Sequence, residues 1–110
     1  MKNFTDNVQV ISNGSSNKRV NLQFVLESLA SDFSCNEVLI EAGPSLSGAF
    51  IEAELVDELI LYIAPRFLGS DGKPLLNFVG MQSLNEFAGF SVQQLIKIGE
   101  DVRLTLKVDH

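Results

Sequence analysis

The chain has one cysteine and one histidine among its 110 residues, and that scarcity removes several chemistries at once. One of each cannot assemble a Cys/His zinc site, structural or catalytic, and no metal ligands are expected. A Ser-His or Cys-His nucleophile pair would have to recruit His110, the last residue, where chains commonly fray. Cys35 lies in the polar stretch Ser34-Cys35-Asn36, without a basic neighbour to favour its thiolate, so a reactive thiol is not expected. A lone cysteine forms no internal disulfide, which fits a reducing cytoplasm.

Positive charge is equally sparse. Fourteen acidic residues stand against eight basic ones, for a formal net charge of -6. No basic run exists to meet phosphates, so nucleic acid is not an expected partner. Long apolar runs are missing too: the longest extends from Leu59 to Ala64, whereas a membrane-spanning helix needs about twenty residues. The opening Met1-Lys2-Asn3-Phe4-Thr5-Asp6 has no apolar stretch of the kind a secretory signal requires.

What remains is 45% apolar and 20% charged, a balance that excludes a disordered chain and suits one domain burying roughly 65% of its unfolded surface. Asn7 to Ser12 alternates apolar and polar residues and reads as a short strand; Asn13 to Asn17 is a polar turn cluster. From Asn21, a plausible N-cap, Leu22, Val25, Leu26 and Leu29 recur with the spacing of one helix face. Glu37 to Glu41 is short and β-branched, a buried strand. After Ala42-Gly43-Pro44, Ser45 is the expected N-cap of a second helix carrying Leu46, Ala49, Phe50 and Ala53. Val56 to Ala64 reads as a strand covered on both faces, ended by Pro65. Residues 66–80 hold Gly69, Gly72, Pro74 and Gly80 and read as an irregular excursion. Phe90 to Ile98 and Val102 to Val108, flanking Gly99-Glu100-Asp101, give a hairpin. Helices alternating with strands, then a hairpin, predict an α/β domain with a mixed sheet.

One segment carries chemistry. A strand ending at Glu41 leads through a Gly43-Pro44-Ser45 turn into a helix, whose unpaired N–H groups and positive dipole end suit phosphate. Gly43 would let an anion approach the backbone, Ser45 and Ser47 offer hydroxyls, and Gly48 would keep the first turn open. Glu41 would suit the N–H groups of a neutral ring or a substrate hydroxyl rather than phosphate. By spacing alone, such a turn is more often plain connectivity and such a carboxylate a solvated strand-end charge.

The run from Glu37 through Glu41-Ala42-Gly43-Pro44-Ser45-Leu46-Ser47-Gly48-Ala49-Phe50, then Leu55-Val56-Asp57-Glu58-Leu59-Ile60, Ala64-Pro65 and Leu68-Gly69, resembles the C-terminal reductase domain of the RibD family. These are the bifunctional deaminase–reductases of riboflavin biosynthesis. The specific part spans residues 37–72, with weaker agreement over 18–30 and 89–108. The resemblance implies a dihydrofolate-reductase-like, three-layer α/β/α fold, and an NADPH-dependent reductase acting on 5-amino-6-(5-phosphoribosylamino)uracil. It further implies that Glu41 contacts substrate, and that Gly43, Pro44, Ser45, Leu46, Ser47, Gly48 and Ala49 lie on the cofactor. A homodimer is implied as well, in agreement with more apolar sheet than two short helices cover.

The departures shape the expectation. The family's deaminase motif, His-x-Glu with Pro-Cys-x-x-Cys, has no trace here. Only Lys18, Arg19 and Arg66 are basic near plausible site regions, too few for a ribose phosphate and a cofactor 2′-phosphate together. Residues 1–110 are therefore expected to be the C-terminal portion of such a reductase domain, inactive or weak alone, with no catalytic acid–base residue of its own. A non-catalytic nucleotide-binding or dimerisation module, and another dihydrofolate-reductase-like reductase, are the alternatives.

Overall fold

In a computed structural model the chain is described over residues 7–12, 19–78 and 89–109. It divides into two compact units, Met1–Leu39 and Ile40–His110. The turn cluster at 13–17, Lys18, Gly80 and His110 lie outside the described residues.

The first unit is built around α1, Leu22–Asp32. The Asn21 side chain accepts a hydrogen bond from the Phe24 N–H at 3.0 Å, so the expected cap closes the first turn. Leu22, Val25, Leu26 and Leu29 are all half-buried, as their spacing predicts. On the exposed side, Gln23 Nε2 donates to Glu27 Oε1 at 3.0 Å, one turn on. Residues 7–12 do not form the expected strand, and Val8, Val10 and Ile11 are exposed. Their alternation is a pattern of burial, whereas a strand is set by a ladder with a distant segment, which alternation alone does not supply.

The second unit holds α2 (Pro44–Glu52) and the strands β1 (Glu58–Ile63), β2 (Phe90–Ile98) and β3 (Asp101–Val108). The sheet order is β1-β3-β2 and both pairings are antiparallel. The expected hairpin is present: Gly99 and Glu100 join β2 to β3, with Gly99 at φ 60°. Positive φ at the first of two central residues is what a type II′ turn requires, and glycine adopts it without strain.

Cross-strand register gives the sheet one apolar face. Leu61, Leu104 and Leu95 form one row, and Leu59, Leu106 and Val92 the next. Val92 and Leu95 are an odd number of residues apart and would ordinarily point to opposite faces. A bulge between Val92 and Gln94 absorbs one residue and returns both to the same side. The buried apolar residues among those described are Phe50, Ile51 and Val108.

Two strand expectations need correction. Val56 to Ala64 is not covered on both faces: β1 lies at an edge of the sheet formed by the described residues, and Ile60 and Tyr62 are exposed while Leu59 and Leu61 are half-buried. Glu37 to Glu41 contributes no strand, and Leu39 is 77% exposed. The described sheet is wholly antiparallel, since the stretches 7–12 and 37–41, on which the expectation of a mixed sheet drew, form no strand. The α/β class itself stands. Residues 66–78 are irregular, as their glycines and proline predict, and their Phe67 and Leu68 are fully open to solvent rather than folded over the sheet. No helix among the described residues is long and apolar enough to cross a membrane.

Candidate functional site

The segment from Ile40 to Ala53 lies wholly within the second unit, so its local geometry is self-contained. Gly43, not Ser45, is the N-cap of α2, at φ -72° and ψ 179°, and Pro44 occupies the first helical position. The reason is proline's fixed φ, which matches a helix, and its missing N–H, which costs nothing at a position with no intrahelical acceptor. The Gly43 carbonyl accepts the Ser47 N–H at 3.1 Å and begins the helical ladder. Without a side-chain cap, the N–H groups of Ser45 and Leu46 are left facing outward from an exposed first turn.

The other side chains sort themselves by what they touch. Ser47 donates its hydroxyl to the Ala42 carbonyl at 3.2 Å, so its proton is committed to the chain entering the helix. A Cβ at Gly43 would meet nothing within 4 Å, which leaves open space over the cap. Glu41 is exposed, two residues before the cap, and Ala49 is half-buried with its carbonyl accepting the Ala53 N–H at 3.0 Å. The second helix buries Gly48, Phe50 and Ile51, whereas Leu46 is 47% exposed and Ala53 is exposed, so the buried face is turned from the one expected.

Gly48 reverses its expected role. A Cβ there would overlap the Asn77 carbonyl oxygen and stand 3.0 Å from the carbonyl carbon. The Asn77 N–H donates to the Pro44 carbonyl at 3.1 Å. Gly48 therefore admits a neighbouring backbone rather than keeping the turn open. Sequence reasoning missed Asn77 altogether; the available signal was a glycine inside a helix, which generally has a packing reason.

Of the basic residues expected near a site, Arg66 is exposed in the second unit, its N–H bonded to the Ala64 carbonyl at 2.8 Å. Arg19 is exposed in the first unit. Among the described residues no group of three or more His, Cys, Asp or Glu side chains could hold a metal ion.

The second unit thus joins an α/β arrangement to a Gly-Pro helix start without a side-chain cap, with open space over Gly43 and an exposed carboxylate two residues upstream. Residues 1–104 match the family described as the RibD C-terminal domain. The chain belongs to that family. It is 39% identical over 98 residues to the riboflavin biosynthesis protein RibD of Buchnera aphidicola subsp. Baizongia pistaciae, covering 89% of this chain and 26% of that protein. It is 38% identical over 90 residues to the 5-amino-6-(5-phosphoribosylamino)uracil reductase of Buchnera aphidicola subsp. Acyrthosiphon pisum, covering 82% of this chain and 43% of the relative. A solved structure of Acinetobacter baumannii RibD superposes with a TM-score of 0.75 at 32% identity, over 83% of this chain and 25% of that one. The chain thus spans about a quarter of the RibD proteins and less than half of the reductase. The shared fold is the expected dihydrofolate-reductase-like α/β arrangement, represented here in part.

Proposed function

We propose that this chain serves the NADPH-dependent reduction of 5-amino-6-(5-phosphoribosylamino)uracil to its ribitylamino form, as the C-terminal portion of a reductase domain. The observation that carries this reading is the likeness, over 82% of the chain, to a relative named as that reductase. The local geometry is compatible with an anionic dinucleotide: the first-turn N–H groups face outward and nothing stands within 4 Å of a Cβ at Gly43. When bound, the cofactor supplies the hydride that turns the ribosyl group into ribityl.

In this reading Gly43, Pro44, Ser45, Leu46, Ser47, Gly48 and Ala49 form the cofactor turn, Gly43 through Leu46 by backbone approach. Ser47 and Gly48 serve instead by fixing the turn's shape, given what they touch. Glu41 orients the substrate, its carboxylate accepting from ring N–H groups or a hydroxyl. No residue of the chain is assigned as a catalytic acid or base. A homodimer is proposed as well, because Val92 and Leu95 leave apolar surface exposed on the apolar face of the sheet. A cytoplasmic location is part of the proposal, and the lone cysteine fits such a reducing compartment. Isothermal titration of NADPH against the folded chain tests the reading, with oxidation of NADPH by the phosphoribosylaminouracil expected of the complete reductase and not of residues 1–110 alone. Absence of nucleotide binding by the folded chain would overturn it.

A further inference from the structure

We propose that the backbone of Asn77, seated over Gly48, is the positioning element that holds the start of α2 in its binding geometry. The inference rests on the proposed role of that helix start and adds what controls it. Three observations carry it. The Asn77 N–H donates to the Pro44 carbonyl at 3.1 Å. A Cβ at Gly48 would collide with the Asn77 carbonyl oxygen and lie 3.0 Å and 3.4 Å from its carbon and nitrogen, so peptide lies directly on peptide. Gly48 is buried beneath it, although Ser45 and Leu46 in the preceding turn are exposed.

The physics is that of a lock between two backbones. The Pro44 carbonyl has two lone pairs; one serves the helical ladder and the other takes the N–H arriving from Asn77. Only glycine lets the second strand of peptide come this close. The residues bridged, Pro44 and Gly48, are the two ends of the turn that contains Ser45, Leu46 and Ser47, so the lock fixes the direction in which the outward N–H groups point. Gly43 supplies no side-chain bond, so beside the Ser47 hydroxyl on the Ala42 carbonyl this contact is what ties down the helix start. The irregular segment after β1 is thereby tied to the site, and Asn77 acts through main-chain atoms alone.

The test uses the full chain and NADP+ as probe. Gly48→Ala inserts a methyl between the two backbones, and Asn77→Pro removes the donated N–H. Gly69→Ala, where an added Cβ meets nothing within 4 Å, is the control. We expect the first two to weaken NADP+ binding about tenfold or more by titration and the control to match the parent. Amide hydrogen exchange supplies a readout independent of nucleotide. Asn77 should be protected in the parent and lose protection in Gly48→Ala, while the β1–β3–β2 amides keep theirs. A parent that fails to bind NADP+ overturns the reading of the site, and the positioning role with it. A parent that binds, with folded Gly48→Ala and Asn77→Pro binding equally well, overturns the positioning role alone. Should Gly48→Ala not fold, Asn77→Pro decides the matter by the same measurement. An Asn77 amide that exchanges as freely as an open loop in the parent would also overturn it.

Discussion

Glu54 donates its backbone N–H to the Ile51 carbonyl at 3.0 Å from a left-handed φ of 58°. The next N–H, of Leu55, reaches the Phe50 carbonyl at 3.0 Å. These two bonds close the end of α2 as a Schellman motif, a position where glycine is the usual occupant. An L-residue there costs roughly 1–2 kcal/mol, and glycine returns part of that as extra freedom in the unfolded chain, about 0.5–1 kcal/mol. Glu54→Gly is therefore expected to stabilise the fold by about 0.5–1 kcal/mol, read as a higher urea midpoint with an unchanged slope. An unchanged or lower midpoint would show that the Glu54 side chain contributes to the fold.

The opposite sign is expected at the hairpin. Gly99 has φ 60° with nothing within 4 Å of a built Cβ, so a side chain would fit in space but not in backbone conformation. Gly99→Val should cost roughly 1–2 kcal/mol, seen in the same urea titration. A loss smaller than that of a surface substitution elsewhere in β2 would mean that the turn relaxes to another type.

What the sequence made legible follows from where the deciding interaction sits. The first helix and its Asn21 cap, and the hairpin around Gly99, depend on residues a few positions apart, and both could be read directly. The stretches 7–12 and 37–41 have the patterns of strands, yet strand formation depends on a distant partner that no local pattern names. The bulge that keeps Val92 and Leu95 on one face is likewise set by β3, not by β2 itself. At the site, the strand-to-helix turn was legible as a place, but its details were not. Pro44 displaced the cap from Ser45 to Gly43, and Gly48 proved to be shaped by Asn77, a residue remote in sequence.

The exposed apolar row predicts association. Leu95 is 63% exposed and lies on the edge strand β2, in register with half-buried Leu104. Leu104→Glu would damage the sheet itself, so Leu95→Glu is the better probe of a surface. The parent is expected to sediment as a dimer at micromolar concentration, and Leu95→Glu as the 12.1 kDa monomer. A parent that sediments only as the 12.1 kDa species would remove the dimer.

Glu41 and the helix start should separate kinetically. If the carboxylate holds substrate, Glu41→Gln removes one charge-assisted hydrogen bond, worth roughly 1.5–3 kcal/mol. Within the complete reductase, kcat/KM for the phosphoribosylaminouracil should then fall about ten- to a hundredfold, while the Kd for NADPH stays near the parent value. Equal losses in both would assign Glu41 to supporting the fold.

The cofactor turn makes the converse prediction, and the two residues that test it differ in what they touch. Gly43 caps α2 with open space where its Cβ would stand, so Gly43→Val fills the approach to the outward N–H groups without colliding with the chain. At φ -72° the cap is in extended backbone that valine also adopts, so the fold should tolerate the change. Ser47→Ala removes only the hydroxyl bond to the Ala42 carbonyl, an effect of roughly 0.5–1.5 kcal/mol on the local turn. Titration of NADPH should therefore show Gly43→Val losing far more affinity than Ser47→Ala, with circular dichroism unchanged in both. If Gly43→Val binds as tightly as the parent, the backbone over the cap is not where the nucleotide lies. If Ser47→Ala shows the larger loss, the hydroxyl rather than the exposed N–H groups governs binding, and its bond to Ala42 must break when nucleotide arrives.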